Sequence, residues 1–528
     1  MEKNSKFKIK LLPSEGQNSK LKFKIQNFQK WMSTNRYEFA LLVFILILAT
    51  LFRLWRIDEY LPFLGDEGRD VRVVRRFVTD FDLMFIGPRT SIGDMYLGPL
   101  FYYLIAPGLL FANFSPAGPA TTVALFGVAT VFLIWRVARE WFGREAAIIS
   151  SFLFAISPLV VNLSKHSWNP NIMPFFALLS VYSIWRVWSK GEYLWFLVLG
   201  GAYAFVLQSH YLGLLLGPVL GLSGLLGWLG ARRARTTKSF LVFLFSGSLV
   251  FIVLMSPLFI FDSKHGWHNT QAIATFFTKR QETVSVKPWN AVPLTWPIWK
   301  DKVVNDLLTA GNQNLALYVA LGLLLACLCV FLESRRKLSS LVPFGLTVFW
   351  ILVGLLGLGS LKQNVYSHYF GFMFPAVFLL IGAITGFFWK GRTRWVVVLA
   401  IAVLITINLQ KNPLFLPPQR QMQRVQEIDK KILKEADSEP FNFALIAKRN
   451  YEEGYLYFFE LWNSPVREIN AQNTRDTLTE QLFVVCEDPV CEPINNAKAE
   501  IANFGWAKIE SEEQIGGVKL YKLVHTKQ

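Results

Sequence analysis

The chain has 528 residues, of which 53% are apolar and only 17% are charged, and its mean hydropathy is +0.34. A soluble domain needs more surface charge than this, so the composition indicates a membrane protein and excludes the collagen-like, coiled-coil and disordered classes. The 54 Lys and Arg residues exceed the 37 Asp and Glu residues, for a net charge of +17. They gather in short clusters between apolar stretches, which is typical of membrane topology signals and not of nucleic-acid binding.

The N-terminal 38 residues are predicted to form a disordered basic arm on the cytoplasmic side. Residues 1–36 hold nine Lys or Arg residues against two Glu residues and show almost no apolar periodicity. The first apolar stretch then runs into Arg53 and Arg56 without a small-residue cleavage site. We therefore expect this stretch to be a membrane anchor that is retained, and not a signal peptide.

Eleven apolar stretches, uncharged except for Arg53 near the end of the first, come near the ~20 residues needed to cross a bilayer. They are 39–55, 118–135, 146–164, 171–185, 193–209, 211–229, 239–261, 313–332, 341–361, 369–389 and 395–410. A further stretch, 96–113, is short and contains Pro99 and Pro107, which free backbone groups that lipid cannot satisfy.

The distribution of basic residues decides whether 96–113 crosses the membrane. With eleven spans, fifteen Lys and Arg residues fall in cytoplasmic loops: Arg136, Arg139, Arg144, Arg186, Lys190, Arg232, Arg233, Arg235, Lys238, Arg335, Arg336, Lys337, Lys390, Arg392 and Arg394. A twelfth span would place all of them outside, against the positive-inside bias. We therefore predict that 96–113 is a re-entrant or interfacial helix within a long outer loop, 57–117.

The predicted organisation is an all-α polytopic domain over 39–411 in the plasma membrane, followed by an outer domain. The odd number of spans places the C-terminus outside the cell. Alternating apolar stretches at 441–446, 482–486 and 518–524 predict strands, with helices around them. We therefore expect a small extracytoplasmic α/β domain over 412–528, long enough to bury its own core. On that side an oxidising environment favours a disulfide between Cys486 and Cys491, with two free thiols as the alternative.

Polar residues collect at the outer ends of the predicted spans. No span carries an ionisable residue in its middle, which argues against an ion-coupled transporter. Five of the six histidines lie at or just beyond outward ends, namely His166, His210, His265, His268 and His368. A single histidine there is most often an interface anchor, but the one-sided set indicates that the outer face is the working face.

The densest polar segment opens the long outer loop and reads Gly65-Asp66-Glu67-Gly68-Arg69-Asp70. A partly desolvated carboxylate at the lipid boundary can act as a general base, and neighbouring carboxylates on a helix point in different directions. The alternative is a solvated turn that caps a helix beginning near Glu67. A loop of this length that folds back onto the membrane favours a functional role.

The order of these features resembles the GT-C class of membrane glycosyltransferases. The shared features are the Asp-Glu pair after the first span, the stretch Pro99 to Leu104, the inside turn Trp135 to Arg144 and the sequence Ile156-Ser157-Pro158-Leu159. The class includes the protein O-mannosyltransferases, the lipid A aminoarabinose transferase and the rhizobial lipopolysaccharide galacturonosyltransferases. The resemblance covers roughly residues 39–265 by motif, and beyond them only the alternation of spans and the outer domain agree.

The resemblance implies inverting transfer of a sugar from a polyprenyl-phosphate donor to a hydroxyl of a lipid, glycan or protein acceptor. Asp66 would act as the base, and Glu67 would orient it or bind the acceptor. A phosphate leaving group needs positive charge, for which the outer-side cations are Arg69, Arg89, Lys165 and Lys362. The candidates for other substrate contacts are His166, Trp168, Asn169, His210, His265 and His368.

The sequence also departs from the class. Its second outer loop, residues 164–171, has no acid where relatives often carry a second carboxylate, so we expect no resident metal. A divalent cation near His265 and His268 is the alternative, although two ligands do not make a site. No nucleotide-phosphate motif is present, so direct use of nucleotide sugars is not expected. A lipid-linked sugar flippase or other transporter, and a non-catalytic scaffold, remain the alternative functions.

Overall fold

The computed structural model describes residues 31–90, 95–278, 284–285, 287–334, 338–488 and 490–526. Its helices are α1 Arg36–Leu54, α2 Ile57–Tyr60, α3 Gly65–Asp80, α4 Leu100–Phe111, α5 Ala117–Trp141, α6 Arg144–Ile156, α7 Pro158–Ser164, α8 Met173–Lys190, α9 Trp195–Ser209, α10 Gly217–Arg233, α11 Thr237–Lys264, α12 His268–Thr278, α13 Val292–Pro297, α14 Asn305–Leu307, α15 Gln313–Ser334, α16 Leu338–Gly359, α17 Phe374–Phe388, α18 Thr393–Gln410, α19 Gln421–Ala436, α20 Glu453–Leu461, α21 Thr474–Thr477 and α22 Ala499–Phe504. The strands are β1 Asn442–Ile446, β2 Gln481–Cys486, β3 Ala507–Ile515 and β4 Val518–His525. Most of the basic arm and the cluster 335–337 lie outside the described residues.

The membrane domain contains most of the eleven predicted spans. Among the described residues, nine helices are long and apolar enough to cross a bilayer, and a tenth span results if α6 and α7, which meet at a 63° bend, are counted together. The eleventh predicted span corresponds to α9, an apolar helix of only 15 residues. The protein is therefore an all-α multi-pass membrane protein with a small appended sheet, as predicted.

The long loop between α1 and α5 contains three helices. Helix α4 is apolar but has only 12 residues with Pro107 inside it, too short to span hydrocarbon. Helix α3 begins at Gly65, so that Asp66 and Glu67 lie in its first turn. Carboxylates at that position interact favourably with the positive end of the helix dipole.

The C-terminal domain is a four-stranded sheet in the order β1-β2-β4-β3, with β1 and β2 parallel and the other pairs antiparallel. Buried apolar residues of β1 and β2 explain why both were recognisable in the sequence. Strand β3 was missed because it is a largely exposed edge strand with the polar sequence AKIESEEQI. Cys486 and Cys491 form a disulfide, which is one of the two alternatives that the sequence leaves open.

Charged residues at the end of the bundle away from the C-terminal domain form a second polar network. Arg139 donates to the buried Glu38 at 2.7 Å, which joins the end of α5 to the start of α1. Arg186 of α8 bridges Glu140 at 2.9 Å and Glu192 at 2.5 Å. These arginines belong to the predicted cytoplasmic clusters. They lie at the opposite end of the bundle from the candidate site described below.

Arg53, in the last turn of α1, is completely buried and lies at the bend between α6 and α7. Pro158 has no N–H, so the carbonyl of Phe154 lacks its usual helical donor. The Arg53 guanidinium donates to that carbonyl at 3.4 Å and to the Ala155 carbonyl at 3.0 Å. Arg53 thus satisfies backbone oxygens that the bend leaves free inside the bundle.

We predict that Arg53→Met lowers the melting temperature of the purified protein by several degrees, because each carbonyl left without a donor costs about 1–3 kcal/mol. Differential scanning fluorimetry in detergent measures this. The control is Arg56→Met, whose exposed ion pair with Glu59 should contribute little. A melting temperature at or above that of the wild type would show that burying the charge costs more than its hydrogen bonds return.

Candidate active site

Asp66 lies in the first turn of α3 with its side chain 41% exposed. Its Oδ1 atom accepts hydrogen bonds from Arg69 at 2.8 Å and from the hydroxyl of Tyr451, in the C-terminal domain, at 2.7 Å. Both hydrogen bonds described for Asp66 end on Oδ1, so Oδ2 is left to accept from an incoming group. The carboxylate is both held in place and accessible, as a general base must be.

Glu67 points in another direction, as expected for adjacent residues on a helix. It is 3% exposed, its Oε2 accepts from the backbone N–H of Leu64 at 2.8 Å, and its Oε1 contacts Nε2 of His166. Burial alone would lower the pKa of His166, but the Glu67 carboxylate outweighs that effect and raises the pKa. Glu67 therefore caps its own helix and also fixes a histidine that carries positive charge more readily than usual.

Arg69 is enclosed by acidic and phenolic groups. Besides Asp66 it binds Asp70 Oδ1 at 2.7 Å, an oxygen that also accepts from Tyr102 at 3.0 Å. Asp70 is fully buried, and burial raises its pKa to about 6 although Arg69 opposes the shift. Since two carboxylates already balance its charge, Arg69 serves first to hold the acidic segment in shape.

Aromatic and imidazole rings from three segments form a wall beside this helix. His166 stacks on Trp168 with centroids 5.2 Å apart, and Trp168 contacts His368 at 4.4 Å. His210 lies 6.1 Å from His368, and Asn169 ties the wall to α9 by donating to the Ser209 carbonyl at 2.6 Å. The structure therefore brings together residues that the sequence separates by up to 300 positions.

Lys165 is the buried one among the four outer-side cations named from the sequence. It is 1% exposed, and its ammonium has no hydrogen-bond partner among the described residues. It lies 4.4 Å from the centre of the Tyr60 ring, and burial lowers its pKa to about 8, with Arg53 adding to the effect. A buried cation without an anion is costly and favours binding of a negatively charged group.

The remaining predicted site residues lie in other segments. Arg89 is exposed, in a segment whose backbone bridges Tyr96, and Lys362 is exposed on the connection after α16. His265 is exposed at the end of α11, with Nδ1 on the Phe261 carbonyl. Asp262 is used as a cap that accepts from Asn269 and Thr270, and no metal-binding group of three His, Cys, Asp or Glu residues occurs in the described parts of the chain.

Two glycines of the acidic segment allow the C-terminal domain to approach α3. A Cβ atom on Gly65 would overlap the ring of Tyr451, and one on Gly68 would overlap the backbone of Gly454 in α20. Arg72, two turns into α3, is 5% exposed and binds Glu453 and Glu468 at 2.5 Å and also Glu460. The sequence showed the two glycines, but nothing in it indicated their partner nearly 400 residues away.

The fold and this site define a multi-pass membrane protein, and comparisons with known proteins show which proteins it resembles. Residues 97–261 match the family described as dolichyl-phosphate-mannose-protein mannosyltransferase. The chain is 23% identical to YkcB of Bacillus subtilis (strain 168), a candidate mannosyltransferase, over 172 residues that make up 31% of the chain. The match spans only 23% of that relative's length.

The fold extends the similarity over nearly the whole chain. ArnT of Cupriavidus metallidurans bound to undecaprenyl phosphate matches with a TM-score of 0.59 and 13% identity, covering 91% of this chain and 97% of that one. The apo form of ArnT matches equally well, at 0.59 and 12% identity. The resemblance to GT-C membrane glycosyltransferases inferred from the sequence is thus confirmed.

We predict that Gly68→Ala displaces α20 from α3, because the added methyl meets backbone that cannot rotate away. Hydrogen exchange of Glu453–Leu461 should become faster, and the melting temperature should fall. Gly221→Ala is the matched control, since nothing lies within 4 Å of its added Cβ in α10. Unchanged exchange in Gly68→Ala would contradict the close packing of the two helices.

Proposed function

We propose that this protein transfers a sugar from a polyprenyl-phosphate donor to an acceptor hydroxyl at the outer face of the plasma membrane, with inversion at the anomeric carbon. The observation that supports the proposal most is the half-exposed Asp66 carboxylate, which is held through Oδ1 alone. Its neighbour Glu67 contacts His166, and the residue before His166 is Lys165, which is buried and has no hydrogen-bond partner among the described residues. A base and a cation are what displacement of a phosphate by an alcohol requires.

The proposed reaction is a single displacement. Asp66 Oδ2 accepts the proton of the acceptor hydroxyl while that oxygen bonds to the anomeric carbon. The bond from that carbon to the phosphate oxygen breaks, and the leaving polyprenyl phosphate takes the electron pair. Attack opposite the phosphate inverts the configuration, and no acid is needed because phosphate is a good leaving group.

The donor contacts follow from charge. Lys165 is the best candidate for the phosphate, since the charge of Arg69 is already balanced by Asp66 and Asp70. His166, with its raised pKa, lies between the acidic segment and Trp168, whose ring offers a stacking surface for a sugar. ArnT, which has the same fold, binds undecaprenyl phosphate, and this makes undecaprenyl-phosphate sugars the first donors to test.

The outer location is supported by the arrangement of charges. Arg139 and Arg186, from the predicted cytoplasmic clusters, lie at the end of the bundle opposite the site. The positive-inside bias then assigns the site and the C-terminal domain to the outside and the N-terminus to the cytoplasm.

We predict that Asp66→Asn lowers kcat roughly 10²- to 10⁴-fold, the usual contribution of a general base. The assay incubates purified protein with a panel of undecaprenyl-phosphate sugars and a membrane extract as acceptor, and mass spectrometry detects the glycosylated product and released undecaprenyl phosphate.

Asp58→Asn is the control, because it removes another exposed carboxylate of the same loop without touching the site. Equal rates for Asp66→Asn and the wild type would remove the role given to Asp66. Donor movement without bond cleavage would favour a transporter, and no turnover of any donor would favour a scaffold.

We predict that donor binding weakens as pH rises through about 8. Lys165 is charged below its pKa of about 8, so its attraction for phosphate is complete at lower pH and is lost above it. The groups that face its ammonium are Arg53 and Tyr60. KM for the donor, measured from pH 6.5 to 9.5, should rise through this range.

Two variants test the assignment. Lys165→Gln should raise KM by roughly tenfold or more at pH 7 and remove the rise with pH, because a charged hydrogen bond contributes about 1.5–3 kcal/mol. Lys165→Arg keeps its charge and should keep a low KM at pH 9. A KM rise that persists in Lys165→Gln would place the titrating group elsewhere.

A further inference from the structure

We propose that Tyr451, carried by the C-terminal domain, is a positioning residue for the Asp66 carboxylate. This inference rests on the proposed function, since it concerns the geometry of the base. It makes the outer domain part of the reaction centre.

The hydrogen bonds around Asp66 form a closed triangle. Tyr451 donates its hydroxyl hydrogen to Asp66 Oδ1 at 2.7 Å, and Nη1 of Arg69 donates both to that oxygen, at 2.8 Å, and to the Tyr451 hydroxyl, at 3.1 Å. Two donors that converge on one oxygen fix the rotation of the carboxylate. Its other oxygen is thereby aimed at one position, which is where the acceptor hydroxyl must be delivered.

The phenol ring of Tyr451 is itself fixed by the neighbouring backbone. It lies against Gly65, where any Cβ would overlap the ring. Asn450 Oδ1 accepts from the backbone N–H of Gly65 at 2.8 Å and from that of Tyr451 at 2.9 Å. Asn450 Nδ2 is held by Glu487, at 3.1 Å. Asn450 therefore anchors both the start of α3 and Tyr451, the residue that orients the Asp66 carboxylate.

Tyr451 is suited to donate at all working pH values. Burial raises its pKa above the usual value for tyrosine, and the nearby Asp66 adds to the shift although Arg69 opposes it. The phenol therefore stays protonated and acts as a donor. Because the leaving phosphate needs no acid, we assign it no proton transfer.

The inference separates docking from orientation. Arg72 and its three carboxylate partners hold the domain on α3, whereas Tyr451 is the contact that reaches the base. Removing only the Tyr451 hydroxyl should leave the domain docked and release the carboxylate. The effect should then appear in the chemical step and not in donor binding.

The test is Tyr451→Phe in the full-length purified protein, with the undecaprenyl-phosphate sugar that the wild type turns over best. We expect kcat to fall roughly tenfold or more and KM for the donor to stay within about twofold, from the loss of a hydrogen bond to a charged group. The acid limb of the pH profile of kcat should move to higher pH, because a carboxylate that loses a hydrogen-bond donor is protonated more readily. The other titratable groups that interact with Asp66 are Arg69, Asp70, His166 and His368.

Tyr457→Phe is the matched control, because its buried hydroxyl donates to the Phe114 carbonyl at the same domain interface but does not touch Asp66. It should leave kcat and the pH profile unchanged. Hydrogen exchange of Glu453–Leu461 should match the wild type in both variants, which shows that the domain is docked.

Three results would overturn the inference. They are an unchanged kcat and pH profile in Tyr451→Phe, a loss of equal size in both variants, and a rise in KM at constant kcat, which would make Tyr451 a donor contact. In each case the wild type still transfers sugar and the proposed function stands. A wild type that transfers no sugar would instead refute the proposed function and this inference together.

Discussion

The close approach of α20 to α3 is the constraint on which the site depends. Because Gly65 and Gly68 have no side chains, the Tyr451 ring and the Gly454 backbone can contact α3 directly. Arg72 secures this contact by binding three carboxylates of the C-terminal domain. Arginine suits this position because its planar group can bind several carboxylates at once while remaining charged. As a result, the acidic segment of the outer loop is held by a domain that the chain adds almost 400 residues later.

The same packing gives the two neighbouring carboxylates, Asp66 and Glu67, different surroundings. Asp66 faces the space between α3 and the C-terminal domain and stays accessible, whereas Glu67 turns into the bundle and contacts His166. Lys165, which precedes His166 in the chain, is buried, and its ammonium has no hydrogen-bond partner among the described residues. The proposed base and the proposed phosphate-binding cation thus belong to different segments of the chain, as expected for a reaction that removes a proton at one point and gathers negative charge at another.

Much of this was predictable because it depends on composition and short-range pattern. The spans, the short helix around Pro107 and the strands β1 and β2 follow from apolar length and alternation. Strand β3 has no such pattern, since its residues face solvent. The sequence could nominate Asp66, Glu67 and His166 as candidate site residues, because their side chains carry chemistry, but it could not indicate the contacts of Tyr451, Asn450 or Arg53. Those three act through contacts between distant segments, and no local signal marks such contacts.

The central claim is that a glycosidic bond to phosphate is broken and a new one is formed at this site. The most direct measurement places the protein in sealed liposomes with an undecaprenyl-phosphate sugar whose sugar and lipid carry different isotopes, and follows both labels by mass spectrometry. The account predicts that the sugar label moves to an acceptor while the lipid label appears as free undecaprenyl phosphate in equal amount. Recovery of both labels on one intact donor, even if it has crossed the bilayer, would contradict it.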